Sequence, residues 1–290
     1  MGFKLANISG RASLVEDNNY YDLEVISNGE FNSNPSDALQ NQNRLKQLNG
    51  QLSEMDPTGV INYSELGPPV SFSANCYAVG LNYKNHAEES GLEIPDVPMI
   101  FTKHTSCLVG PCATIEMRSD AVDYEAELVA VIGKTGKDIK KEDAWDHVAG
   151  LCVGQDISDR GVQFSTKNLP QFNLGKSFDT FGPIGPFLVS PDELPNKDGL
   201  EIECLVNDEV RQKDNTNDLI FDIPFIICYL SEIVTLNVGD VIFTGTPGGV
   251  GVMEGKFLKE GDILTTRIEG LGSLRNECKR IADRSLTKED

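Results

Sequence analysis

Basic residues are scarce in this chain. Only 25 Lys and Arg stand against 45 Asp and Glu among 290 residues, a formal charge of −20. Nucleic acids and anionic membranes both need a basic footprint, so neither is expected as a partner. No apolar run approaches the length of a membrane span, and Met1 to Gly10 lacks the basic-then-apolar pattern of a secretion signal. The seven cysteines are odd in number, scattered and without a Cys-x-x-Cys pair. That pattern suits free thiols in a reducing cytoplasm better than a disulfide framework or a zinc site, and a cytoplasmic protein is expected. Internal repeats and low-complexity tracts are absent too. The Gly-rich stretch Thr244–Gly251 does not end in Gly-Lys-Ser/Thr, and no βαβ unit surrounds it, so neither a Walker loop nor a dinucleotide fingerprint is present.

What is present centres on Asp123-Tyr124-Glu125-Ala126-Glu127-Leu128. Residues two apart on a strand point the same way, which pairs Glu125 with Glu127 on one face. The continuation Leu128-Val129-Ala130-Val131-Ile132-Gly133 is apolar and β-branched, as in a strand covered on both sides. A third carboxylate, Asp156, closes the next apolar segment, Val148 to Gln155. A Glu-x-Glu pair is ordinarily a solvated face. On a buried strand, however, carboxylates are costly to desolvate without a compensating cation. Glu125, Glu127 and Asp156 therefore read as an oxygen site for a hard cation: Mg²⁺, Mn²⁺ or Ca²⁺.

Residues 1–70 read as a small leading α+β module and 71–290 as the main domain, with Gly67-Pro68-Pro69 at the boundary. In the module, strands are expected at Arg11–Val15 and Tyr20–Val25, followed by a helix capped by Ser36, running through Leu39, Leu45 and Leu48 to Gly50. Beyond it come a strand over Ala74–Gly80, a loop into a helix over Leu81–Glu89 and a strand at Met99–Phe101. Further strands follow at Phe187–Val189 and Leu200–Val206, and a buried helix over Ile220–Leu230. Many short strands between Gly/Pro turns indicate a mostly β (α+β) fold.

His86 and Glu89 are three apart and share a helix face, where a carboxylate can orient an imidazole to take a proton from water. An exposed pair with no catalytic task has the same spacing. His104 and His147 have no comparable partner and read as structural or surface residues. Lys176, isolated among Gly, Pro and Phe, is placed either to hold a substrate carboxylate or oxyanion or to pair with Asp179. The Thr244–Gly251 turn can offer backbone N–H groups and the Thr246 hydroxyl to an anion.

Taken in order, Gly80-Leu81-Asn82-Tyr83 with His86 and Glu89, the Asp123–Leu128 motif, Gln155-Asp156-Ile157-Ser158-Asp159-Arg160, Gly175 to Pro186, Val238-Gly239-Asp240-Val241-Ile242 and Thr244-Gly245-Thr246-Pro247 resemble the fumarylacetoacetate hydrolase family over about residues 72 to 280. The resemblance implies a mixed β-roll or β-sandwich catalytic domain, a Mg²⁺ or Mn²⁺ cofactor and a homodimer. It makes Glu125, Glu127 and Asp156 the metal ligands, His86 and Glu89 a water-activating dyad on a lid helix, and Lys176 the active-site lysine. Gln171 and Thr246 match substrate-contacting positions, and Tyr83 and Arg160 fall in the motifs that border the substrate. Asp159-Arg160-Gly161 replaces the commoner Ala-Arg-Asp, a change at the substrate end of the pocket. The leading module resembles that of longer members acting on diketo sugar acids and homoprotocatechuate-type intermediates, and Ala87 to Gly91 resembles the former group in particular, which points to the acylpyruvase and diketo-deoxy sugar acid branch. The implied activity is hydrolysis of a carbon–carbon bond in a small 2,4-diketo acid, giving pyruvate and a carboxylic acid. Oxaloacetate decarboxylation or hydroxy-diene-dioate isomerisation would use the same metal-enolate site, and a non-catalytic dicarboxylate binder or a structural Ca²⁺ module stands further off.

Overall fold

The computed structural model describes residues 2–70, 75–166 and 168–281. Its architecture is mostly β, built on two mixed sheets, with a two-stranded ribbon of Val122–Asp123 and Ser158–Asp159 and mostly short helices. The larger, 12-stranded sheet runs in the order Gly59–Val60, Asn19–Asp22, Arg11–Glu16, Lys4–Ile8, Gly182–Val189, Val148–Gln155, Ala126–Ile132, Val241–Phe243, Cys76–Gly80 and Met99–Lys103, with Leu66–Gly67 and Leu108–Val109 joined at its side. The strands of residues 2–70 thus share one hydrogen-bonded sheet with later strands, through the antiparallel pairing of Lys4 with Val189 and Leu5 with Leu188. A five-stranded sheet carries Glu209–Asn215, Glu201–Val206, Ile263–Ile268, Gly272–Arg280 and Ile115–Met117.

The central strand shows why both of its faces had to be apolar. Leu128, Ala130 and Ile132 enter the core shared with the smaller sheet and the helix Ile223–Ile233, while Val129 and Val131 enter a second core against Leu39, Leu45 and Leu48. Every residue from Ala126 to Ile132 is buried. Glu127 lies on this strand in step with Val129 and Val131, so its carboxylate is carried into the interior.

Four expectations are corrected. The strand at Tyr20 stops at Asp22, because the Asp22 carboxylate caps a short helix, Leu23–Ile26, by accepting from Val25 N–H. The helix expected from Ser36 to Gly50 is broken: Asn34 caps Pro35–Ala38 and Asn41 caps Gln42–Asn49, so two Asn side chains and not Ser36 start the turns. The helix expected over Ile220–Leu230 begins at Ile223, since Asp222 accepts from Phe225 N–H at 2.7 Å. Ile220 and Phe221 stay outside it, their N–H groups donating to Asn82. The strand expected over Ala74–Gly80 is found at Cys76–Gly80, and Ala74 lies outside the described residues. Among the described residues all seven cysteines are free thiols, and no helix is long and apolar enough to cross a membrane.

Candidate active site

The site forms where two central strands end side by side. Glu125 precedes Ala126–Ile132 and Asp156 follows Val148–Gln155, and Asp156 N–H donates to the Glu125 carbonyl at 2.9 Å. The Gln155 side chain locks the junction, accepting from Glu125 N–H at 3.0 Å and donating to Thr266 Oγ1 at 2.8 Å. The carboxylates of Glu125, Glu127 and Asp156 converge, one oxygen from each lying within 4.8 Å of the others, and all three residues are buried.

Three cations surround them. Lys176 Nζ donates to Glu125 Oε2 at 2.6 Å and Asp156 Oδ2 at 2.7 Å, and not to Asp179. Arg160 Nη2 reaches Glu125 Oε1 at 2.7 Å and Asp123 Oδ2 at 2.6 Å, while its Nη1 donates to Gln163. Lys103 Nζ donates to Asp156 Oδ1 at 2.6 Å. Charge-assisted pairs of this length are the strong class of hydrogen bond.

The two glutamates consequently behave differently. Burial alone would raise Glu125, but Lys176 and Arg160 overcome it and hold the carboxylate well below its ordinary range. Glu127 is pushed far up by burial and by the neighbouring Asp156 and Glu125 charges, opposed weakly by Lys176 and by the Gly245 N–H. Among the described residues Glu127 accepts that one N–H, at 2.7 Å, and touches no side-chain cation. Four buried carboxylates, including Asp123, therefore face three buried cations, and the acid left over belongs to the converging set. All-oxygen donors with unmatched negative charge fit a divalent hard cation, and Glu125, Glu127 and Asp156 are the residues that would hold it.

The Thr244–Gly251 turn does present N–H groups to anions, but those anions are the protein's own. Gly245 donates to Glu127, Gly249 to Glu89, and Gly251 to Asp123. Gly245 has φ +102, and a Cβ there would meet the Asn82 Cβ at 2.7 Å, so the close approach to Glu127 requires glycine.

A cleft of about 340 Å³ opens on the acids, and His86, Arg160, Lys176 and Thr246 line it. His86 lies on the helix Lys84–Ser90, where burial lowers its imidazole below the usual range against the pull of Glu125 and Glu89. His86 and Glu89 face each other as their spacing predicts, with His86 Nδ1 3.8 Å from Glu89 Oε2, longer than a hydrogen bond, and the same oxygen accepts from Gly249 N–H at 2.8 Å. Tyr83 and Gln171 stand apart from the cleft lining. Tyr83 is fully buried, its backbone bridged to Leu219, and Gln171 donates to Ser165. His147 is buried with Nδ1 against the Lys134 carbonyl, and His104 is exposed.

Sequence reasoning missed Lys103 and Gln163. Gln163 lies three residues after Arg160 on the short helix Arg160–Gln163, so the spacing that revealed His86 and Glu89 would have shown it. Lys103 lies two residues after Phe101 on the strand Met99–Lys103 and so shares its face.

Residues 75–279 match the family model for the fumarylacetoacetate (FAA) hydrolase C-terminal domain. The chain is 46% identical over 214 residues to the fumarylacetoacetate hydrolase domain-containing protein 2 homolog of Dictyostelium discoideum, an alignment covering 69% of this chain and 70% of that protein. It is 45% identical over 212 residues to the mitochondrial oxaloacetate tautomerase fahd2 of Xenopus laevis, covering 72% of this chain and 66% of that one, so the match spans about two thirds of these relatives. The crystal structure of maleylpyruvate hydrolase from Sphingobium, in complex with manganese(II) and pyruvate, superposes with a TM-score of 0.79 at 27% identity, covering 96% of this chain and 99% of that one.

Proposed function

Since the chain belongs to the fumarylacetoacetate hydrolase family, we propose that it is a divalent-metal enzyme that moves a proton between the keto and enol forms of oxaloacetate. The implied hydrolysis of a diketo acid yields to this reading. The observation that carries it is the state of His86: a half-buried imidazole, lowered in proton affinity by desolvation, lining the cleft beside Glu89 with no hydrogen bond to its Nδ1. An imidazole kept neutral is a base at neutral pH, and proton transfer at the carbon beside a ketone asks for no activated water. Likeness to the frog tautomerase supports the same class of reaction.

In this reading the substrate's 2-oxo acid end enters beside Arg160 and Lys176. His86 takes the proton from C3 and returns it to the C2 oxygen, so keto and enol forms interconvert with no atom gained or lost. The Lys176 ammonium and Arg160 guanidinium lie where negative charge gathers on the enolate oxygen, and being held by Glu125, Asp156 and Asp123 they need no rearrangement to act. Glu125, Glu127 and Asp156 would hold a divalent cation, which would supply Lewis acidity to the enolate. Mg²⁺ and Mn²⁺ both suit the donor set.

Acylpyruvate hydrolysis is kept as a second reading because of the cleft's outer wall. Leu92, Met99, Phe164, Phe172 and Met253 line it with apolar surface, which suits an acyl tail. Parallel assays separate the two: enol–keto conversion of oxaloacetate and cleavage of acylpyruvates, each with Mg²⁺ and Mn²⁺. Acceleration of the first with little of the second is expected. Cleavage outpacing tautomerisation would assign the site to hydrolysis.

A further inference from the structure

We infer that Lys103 is a positioning residue that sets a candidate metal ligand and the active-site lysine from a single ammonium group. Its side chain is wholly buried and does not line the cleft, so it cannot touch substrate. Its Nζ donates to Asp156 Oδ1 at 2.6 Å, to the Phe181 carbonyl at 3.2 Å and to the carbonyl of Lys176 itself. An ammonium has three protons, and each finds one acceptor here. Two of those acceptors bracket the segment that delivers Lys176, and the third is the carboxylate that Lys176 also holds, at 2.7 Å.

The mechanical consequence follows from where Lys103 is anchored. It ends the strand Met99–Lys103, paired along its length with Cys76–Gly80. Asp156 and Lys176, by contrast, sit in chain that leaves regular structure: Asp156 just past its strand, Lys176 at the end of the short helix Phe172–Gly175. Lys103 therefore ties two irregular segments to a sheet strand. Groups that orient metal ligands in this way commonly alter metal affinity by about 10- to 100-fold when removed.

The inference rests on the divalent-metal site proposed above, and its test separates position from charge. Removing a cation beside a dication site would by electrostatics alone tighten metal binding, whereas loss of a positioning group weakens it. Titration calorimetry with Mn²⁺ alone, on the full chain, reads the difference without reference to turnover. Lys103→Met is expected to bind Mn²⁺ at least about tenfold more weakly. Lys103→Arg keeps the charge but cannot place a planar fork in a space shaped for an ammonium, so it too should bind more weakly, and it carries the test should the Met variant fail to fold. Wild-type or tighter Mn²⁺ binding in either folded variant overturns the assignment. If the unmutated protein itself takes up no Mn²⁺, the metal reading and this inference fall together.

Discussion

The two ends of the large sheet handle charge in opposite ways. Near the start of the chain Arg11 meets Glu24 at 2.7 Å, with side chains 44% and 45% exposed, in a pair that water can replace. At the other end Lys103 meets Asp156 at 2.6 Å with both side chains at 0% exposure, and Lys176 and Arg160 complete a network that is almost wholly desolvated, open only where it lines the cleft. Exposed pairs contribute little because solvent screens them. Buried ones are weak evidence for stability but strong evidence for purpose, since apolar residues of similar volume would fold as well or better. A sheet able to fill its interior with Val, Leu and Ile has instead kept four carboxylates at one spot.

The contrast is broken most severely by deleting one buried charge. Asp156→Ala strands the ammonium groups of Lys103 and Lys176 in the interior. Denaturant unfolding should show a loss of about 3–5 kcal/mol, with turnover abolished; a variant as stable as the parent would mean that the network is not desolvated as described. His86→Ala sits outside the network and should leave the melting temperature close to the parent's while slowing proton transfer by about 10²- to 10⁴-fold. Unchanged turnover in that variant would remove His86 from the chemistry.

Two gentler tests use pH. Because burial lowers His86 from 6.5, its neutral form persists to more acid solution, and the acid limb of the pH–rate profile should fall below pH 6.5. A limb above that value would contradict the burial of the imidazole. Glu127 is displaced the other way, and a ligand must be charged to hold a cation, so Mn²⁺ affinity should climb, with proton release, as pH rises. Proton release seen by calorimetry in buffers of different ionisation heat checks this. The smallest effect on activity belongs to the exposed end: Arg11→Ala should leave turnover unchanged and lower the melting temperature less than Asp156→Ala does, its cost coming from the buried Asp22 carboxylate that Arg11 also pairs.

Most of the strand framework was legible because β structure announces itself by alternation, and the run from Leu128 to Ile132 admits little else. The converging acids were legible for the same reason, since period two fixes Glu125 and Glu127 and an apolar segment leads directly to Asp156. What escaped was set by single side chains acting on backbone far away in sequence. Asn34, Asn41 and Asp222 relocate helix starts by accepting one N–H apiece, a competition that propensity does not resolve. Local spacing brings Glu89 to His86, but it does not show that Gly249, 160 residues away, also donates to the Glu89 carboxylate. Lys103 was invisible because nothing local marks a lysine that will be buried; its acceptors lie 53 to 78 residues on. Tyr83 and Gln171 were carried onto the site by motif alone, and the packing around them places neither in the cleft lining.

The most direct measurement is hydrogen–deuterium exchange at C3 of oxaloacetate, followed by NMR in deuterated buffer with Mg²⁺. The parent protein should drive exchange well above the spontaneous rate, and His86→Ala should fall back to that rate while remaining folded and metal-binding. Exchange by His86→Ala at the parent's rate, or none by the parent, would contradict the view that a neutral imidazole beside buried cations moves this proton.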